Sequence, residues 1–124
     1  MNTEKKEVLI VEDNEDNSSL AEKILQYYGF NTHIASHGDE ALKYCETHKP
    51  DLILMDLSLP DMDGMEVTRL LRKKEGFQKT PVIAITAHAM RGIQEISKNA
   101  GLDDFLSKPF LPNDLIAIVK KHLT

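Results

Sequence analysis

The chain has 124 residues with a single cysteine, and its 15 Lys and Arg stand against 20 Asp and Glu for a net charge of -5. That length makes about one ordinary domain, which buries roughly two-thirds of the surface its unfolded form exposes, so a core needs no disulfide staple. The acidic balance, without any dense Lys/Arg cluster, argues against direct nucleic-acid binding, because phosphate contacts would form against a repulsive field; protein partners are expected instead.

In chain order, "MNTEKKEVLIVED" holds only a short apolar run before acidic residues. That is too short for a signal-peptide core or a membrane span, so a soluble, cytoplasmic protein is expected. "VLIV" at 8–11 is bounded by charge, as suits a strand buried on both faces. Leu20, Ala21, Ile24, Leu25 and Tyr28 recur at helical spacing, with Gly29 at the C-terminal cap. A partly polar strand follows at 30–35. Ser36 and Asp39 then stand at capping-box spacing before Ala41, Leu42 and Cys45, and Pro50 stops that second helix. Cys45, lacking a partner, reads as reduced and structural. "DLILM" at 51–55 predicts a third strand, "MEVTRLLRKK" a third helix with Val67, Leu70 and Leu71 on one face, and "PVIAIT" at 81–86 a fourth strand. "IQEISKNAG" predicts a fourth helix with Ile93, Ile96 and Ala100 on one side and Gly101 at its end. "FLS" at 105–107 is the fifth strand, and Leu115, Ile118, Val119 and Leu123 form the stripe of a last helix.

Strict alternation of continuous apolar strands with helices implies an α/β fold, a parallel sheet covered on both faces. Right-handed crossovers favour the strand order 2-1-3-4-5, with the functional site beyond the carboxyl ends of strands 1 and 3. Glu12 and Asp13 follow strand 1, Asp56 follows strand 3, Thr86 ends strand 4 and Lys108 follows strand 5. All five therefore converge on one edge. Singly, each carboxylate could be a turn or helix-start residue; together they make a site. Three crowded carboxylates without neighbouring Cys or His favour a hard cation such as Mg²⁺. An ammonium and a hydroxyl beside them suit phosphoryl transfer.

The segments "VEDN", "LILMDLSLPDMDG", "AITAHAM" and "FLSKPF" resemble the receiver domain of two-component response regulators, the CheY-like family, over essentially the whole chain, residues 1–124 as one domain. That family is itself a standing example of the strand order, which is therefore no independent prediction. The resemblance implies that Asp56 is the phosphoacceptor, with Asp13 and Glu12 helping to bind Mg²⁺, one of them often through water. The backbone carbonyl of Ser58 would complete the protein ligands. Lys108 would contact a phosphoryl oxygen, the Thr86 hydroxyl and the Ala87 amide would bind the others, and the bond before Pro109 would be cis. A sensor histidine kinase or a histidine phosphotransfer protein would donate the phosphoryl group. The receiver would catalyse its own phosphorylation and dephosphorylation without being an enzyme in the ordinary sense.

Thr86 and Phe105 would form the switch, biasing the face of the fourth helix, fifth strand and fifth helix toward a downstream protein. Phe105 reads equally well as a plain core aromatic. Ser58 and His88 lie where the family tunes access of the attacking water. Met90 and Ile93 are docking candidates, Ile93 fitting core packing better, and the remaining histidines look like surface positions. Because the chain ends just after the last helix, the expectation is action by docking, as a free-standing DivK-type regulator or a hybrid-kinase receiver. A haloacid-dehalogenase phosphatase would carry "DxD" after strand 1, and a flavodoxin-like carrier would need a Ser/Thr/Gly-rich phosphate loop in place of "EDNEDN". A docking module independent of phosphorylation is the remaining alternative.

Overall fold

Each apolar run becomes a strand and each amphipathic run a helix in the computed structural model, which describes residues 6–86 and 100–123. The elements are β1 (Glu7–Val11), α1 (Glu15–Tyr27), β2 (Asn31–Ala35), α2 (Gly38–Thr47), β3 (Leu52–Asp56), α3 (Gly64–Arg72), β4 (Val82–Thr86), β5 (Asp104–Ser107) and α4 (Pro112–Leu123), the last being the fifth helix expected from sequence. All strand pairs are parallel and the order is β2-β1-β3-β4-β5. The expected fourth helix falls almost wholly outside the described residues; its last positions are the buried Ala100 and Gly101, whose φ of 96° suits glycine.

Alternation along each strand splits the core in two. Leu9, Val11, Ile53, Met55 and Ala84 face a layer closed by Ala41 and Cys45 of α2 and by Val67 and Leu71 of α3. Val8, Ile10, Leu52, Leu54, Ile83 and Ile85 face the other layer, closed by Ala21, Ile24 and Leu25 of α1 and by Leu115, Ile116 and Val119 of α4. Because β1, β3 and β4 are covered on both faces, they read as unbroken apolar runs. Buried Cys45 is a free thiol that burial pushes up to about 11. No helix among the described residues is long and apolar enough to cross a membrane.

Four local expectations change. Leu20 and Tyr28 are 47% and 42% exposed, because the α1 stripe that meets the sheet is narrower than its helical periodicity suggests. On α4, Ile116 is buried while Ile118 and Leu123 are only partly so. The capping box at Ser36 and Asp39 does not form. Helix α2 starts after His37, which makes no side-chain cap, and Glu40 instead accepts the Ser36 amide at 2.9 Å. Nor are all the remaining histidines simple surface groups: His33 and His48 stack on Tyr44, and His122 lies 3.0 Å from Asp104.

Candidate functional site

Parallel strands deliver their last residues to one edge, and four of them supply five polar groups there. Glu12 and Asp13 follow β1, Asp56 ends β3, Thr86 ends β4, and Lys108 follows β5. Thr86 pairs with Ser107, and the Lys108 amide donates to the Thr86 carbonyl at 2.8 Å. Lys108 therefore leaves the sheet fixed beside β4, followed by a cis peptide bond to Pro109.

Glu12, Asp56 and Thr86 are buried, at 4%, 3% and 5% exposure. The Lys108 ammonium lies 2.8 Å from Glu12 Oε1 and 3.5 Å from Asp56 Oδ2. The second oxygen of each acid is held by backbone: Asp56 Oδ1 accepts the Ser58 amide at 3.0 Å, and Glu12 Oε2 accepts the Asn14 amide at 3.2 Å. Burial pushes the Glu12 carboxyl above its ordinary range; Lys108 opposes that push and the Asp56 carboxylate adds to it. For Lys108, burial works downward, but Glu12 and Asp56 outweigh it and hold the ammonium above its usual value. One cation thus faces two buried carboxylates, with exposed Asp13 adding a third. Oxygens of Glu12, Asp13 and Asp56 lie within 4.8 Å of one another. An all-oxygen, anionic donor set of this size fits a hard divalent cation.

The floor of the site is backbone. A Cβ at Gly64 would lie 2.4 Å from the Asp56 carbonyl oxygen and 3.0 Å from Leu57 Cα, so α3 begins pressed against the chain that carries the acid. Asp63 caps α3 by accepting the Met65 amide at 2.9 Å. Asp61 reaches the other way, accepting the amides of Gly38 and Asp39 at 2.8 and 2.9 Å. Neither Asp61 nor the glycine's close approach stood out in the sequence, although an Asp-Gly pair before an apolar run signals a helix start.

Of the remaining expected residues, Ser58 is exposed beside Asp56. Phe105 is half-buried and packs on the core layer beneath α2 and α3. Ala87, His88, Met90, Ile93 and Ile96 lie outside the described residues.

The chain matches the response regulator receiver domain over residues 8–120. It is 41% identical to the polar-differentiation response regulator DivK of Brucella anthropi, covering 95% of this chain and 96% of that one. Among solved structures, the chemotaxis response regulator CheY4 of Vibrio cholerae superposes with a TM-score of 0.92 at 26% identity, over 96% and 99% of the two chains. The receiver domain of a Pseudomonas aeruginosa sensor histidine kinase, described with a magnesium ion coordinated in its active-site cleft, gives a TM-score of 0.89 at 36% identity over 97% and 98%. With an acid cluster at the switch point of a 2-1-3-4-5 sheet and matches across nearly its full length, the chain belongs to the receiver domains of two-component response regulators, signalling proteins and not classical enzymes.

Proposed function

We propose that this receiver accepts a phosphoryl group on Asp56, taking residues 1–124 as one receiver unit. The observation that carries the proposal is a buried carboxylate with one oxygen fixed by the Ser58 amide and the other 3.5 Å from the Lys108 ammonium. In the reaction, a carboxylate oxygen of Asp56 attacks phosphorus as the bond to the phosphohistidine nitrogen breaks, and the imidazole leaves with that electron pair. The product is an acyl phosphate, which water later hydrolyses at the same phosphorus. Both steps need positive charge beside the phosphoryl oxygens, and Lys108, its backbone anchored to Thr86, supplies it. To bind the transferred group, Lys108 would loosen its contact with Glu12.

Mg²⁺ held by Asp13, Glu12, Asp56 and the Ser58 carbonyl would neutralise the acid cluster and the charge building up on phosphorus. The Thr86 hydroxyl and the Ala87 amide take the remaining phosphoryl oxygens, and this engagement of Thr86 is read out by Phe105. Ser58 and His88 set how readily water reaches the phosphoryl group. Under this proposal the receiver promotes its own phosphorylation and dephosphorylation. Its donor is a sensor histidine kinase or a histidine phosphotransfer protein, its output a downstream protein, and its location the cytoplasm.

The test is intact-mass analysis after incubation with Mg²⁺ and phosphoramidate, for the parent protein and Asp56→Ala. One Mg²⁺-dependent phosphoryl adduct is expected on the parent and none on the variant. Failure of the folded parent to form an adduct with either phosphoramidate or a phosphohistidine donor overturns the proposal in favour of docking independent of phosphorylation.

A further inference from the structure

We propose that Asp61 is a positioning residue for the phosphoacceptor, which fixes the β3–α3 loop over Asp56 by capping helix α2 from outside that helix. The inference rests on the reading of Asp56 as phosphoacceptor. Helix α2 has no side-chain cap of its own, since His37 makes none. Its first two amides, Gly38 and Asp39, are instead taken one by each oxygen of the Asp61 carboxylate, at 2.8 and 2.9 Å. Such two-pronged acceptance fixes direction as well as distance. The two amide bonds hold the Asp61 carboxyl below its usual range.

What makes this cap matter to the site is where Asp61 stands. The chain from Asp56 to Asp61 is a short loop that carries Ser58, whose amide holds Asp56 Oδ1 at 3.0 Å. Beyond it, Asp63 caps α3 and the Gly64 amide reaches the Leu57 carbonyl at 3.4 Å. The loop is thus tied to α3 on one side and to α2 on the other. The α2 tie is tight: a Cβ on Gly38 would lie 2.6 Å from Met62 Cγ and 2.7 Å from Val67 Cγ2. Losing Asp61 removes the hydrogen-bonded part of the α2 tie and leaves only the packing of Met62 against Gly38, so the Ser58 amide is held less firmly over Asp56.

A stability effect alone would not distinguish positioning from ordinary helix capping, so the experiment separates them. Mg²⁺ affinity by calorimetry, phosphoramidate-driven adduct rate and melting temperature are measured for the parent, Asp61→Ala, Asp61→Asn and the double variant His37→Asp/Asp61→Ala. The double variant returns a local cap to α2 without returning the tie to the loop. Asp61→Ala is expected to weaken Mg²⁺ binding roughly tenfold and slow adduct formation similarly, the scale on which a metal ligand's orienting partner acts. Asp61→Asn, keeping one carbonyl acceptor, should fall between parent and alanine variant. In the double variant the melting temperature recovers while Mg²⁺ affinity and rate stay low.

Recovery of all three quantities in the double variant reduces Asp61 to a helix cap and overturns the inference, as does unchanged Mg²⁺ affinity in both single variants. Should Asp61→Ala fail to fold, Asp61→Asn and the double variant decide the matter on the same readouts. A parent that neither binds Mg²⁺ nor forms an adduct overturns the functional reading itself, and this inference with it.

Discussion

Strand β5 carries a cluster of opposite charges at each end, and the two clusters are built in opposite senses. At its start, one carboxylate, Asp104, is shared by two groups of α4, Lys121 at 3.3 Å and His122 at 3.0 Å. Past its end, one ammonium, Lys108, is shared by two carboxylates. The side chains of Lys121 and Asp104 are 69% and 24% exposed, whereas those of Glu12 and Asp56 are each 4% exposed. At the start of β5 the single Asp104 carboxylate is balanced by the solvent-exposed Lys121 ammonium and hydrogen-bonded to His122, which fastens α4 to the sheet at little electrostatic cost. A buried cluster with spare negative charge is a poor way to stabilise a fold, because two desolvated carboxylates repel each other and one cation cannot satisfy both. An arrangement that works against stability at the switch point of the sheet is where function is expected.

Removing the shared cation breaks the contrast most severely. Lys108→Met leaves Glu12 and Asp56 buried side by side, and the expected loss of stability is about 3 kcal/mol at neutral pH. The sign of its pH dependence follows from Glu12. A carboxyl raised by folding takes up its proton more readily in the folded state, so its unfavourable contribution is absent below the unfolded value of about 4.3 and grows as pH rises through the folded value. Without Lys108 that rise is steeper. Urea denaturation should therefore show the gap between variant and parent closing as pH falls from about 7 toward about 5. Millimolar Mg²⁺ should also narrow it, because a ligand of the native state adds stability. A gap insensitive to both pH and Mg²⁺ would mean that the two acids do not share the charge burden.

The next largest effect is steric. Gly64→Ala places a methyl 2.4 Å from the Asp56 carbonyl oxygen, and backbone cannot swing aside as a side chain does. A loss of about 2 kcal/mol is expected by denaturation. A fall in adduct rate should accompany it, since the shift passes directly to Asp56. A variant that keeps the parent's rate would show the acid to be held from β3 alone.

How much of this was legible depends on how far apart in the chain the interacting groups lie. Glu12, Asp56, Thr86 and Lys108 could be placed because each adjoins an apolar run, and alternating strands and helices dictate which strand ends meet. The α2 start was misplaced because its cap comes from Asp61, 22 and 23 residues further along, where no local pattern points back. The Gly64 contact is hidden for a related reason: it is an approach of backbone to backbone, and the sequence shows only an Asp-Gly pair. Arg72 was silent altogether, yet it donates to the carbonyls of Phe77, Thr80 and Gly101 and to Asp103, tying the end of α3 to the entries of β4 and β5. Only folding brings those acceptors together. The same holds for Leu20 and Tyr28, whose spacing is helical but whose place on α1 lies outside the buried stripe.

The smallest effect tests the more open end of β5. Burial works to raise the Asp104 carboxyl, but the His122 hydrogen bond, the Phe105 amide and Lys121 outweigh it and hold the group below its usual range. A carboxyl lowered by folding stabilises the protein above its unfolded value of about 3.9 and loses that contribution as pH falls through the folded value. Asp104→Asn should thus cost about 1 kcal/mol at neutral pH, the upper end of the range for a pair still open to water. The cost should persist to about pH 4 and vanish below it. Added salt should shrink it, because charges in contact with water are screened within about 10 Å at modest ionic strength, while the loss in Lys108→Met should respond far less. Equal salt sensitivity of the two variants would erase the distinction between the ends of β5, since it would place both clusters in the same dielectric environment.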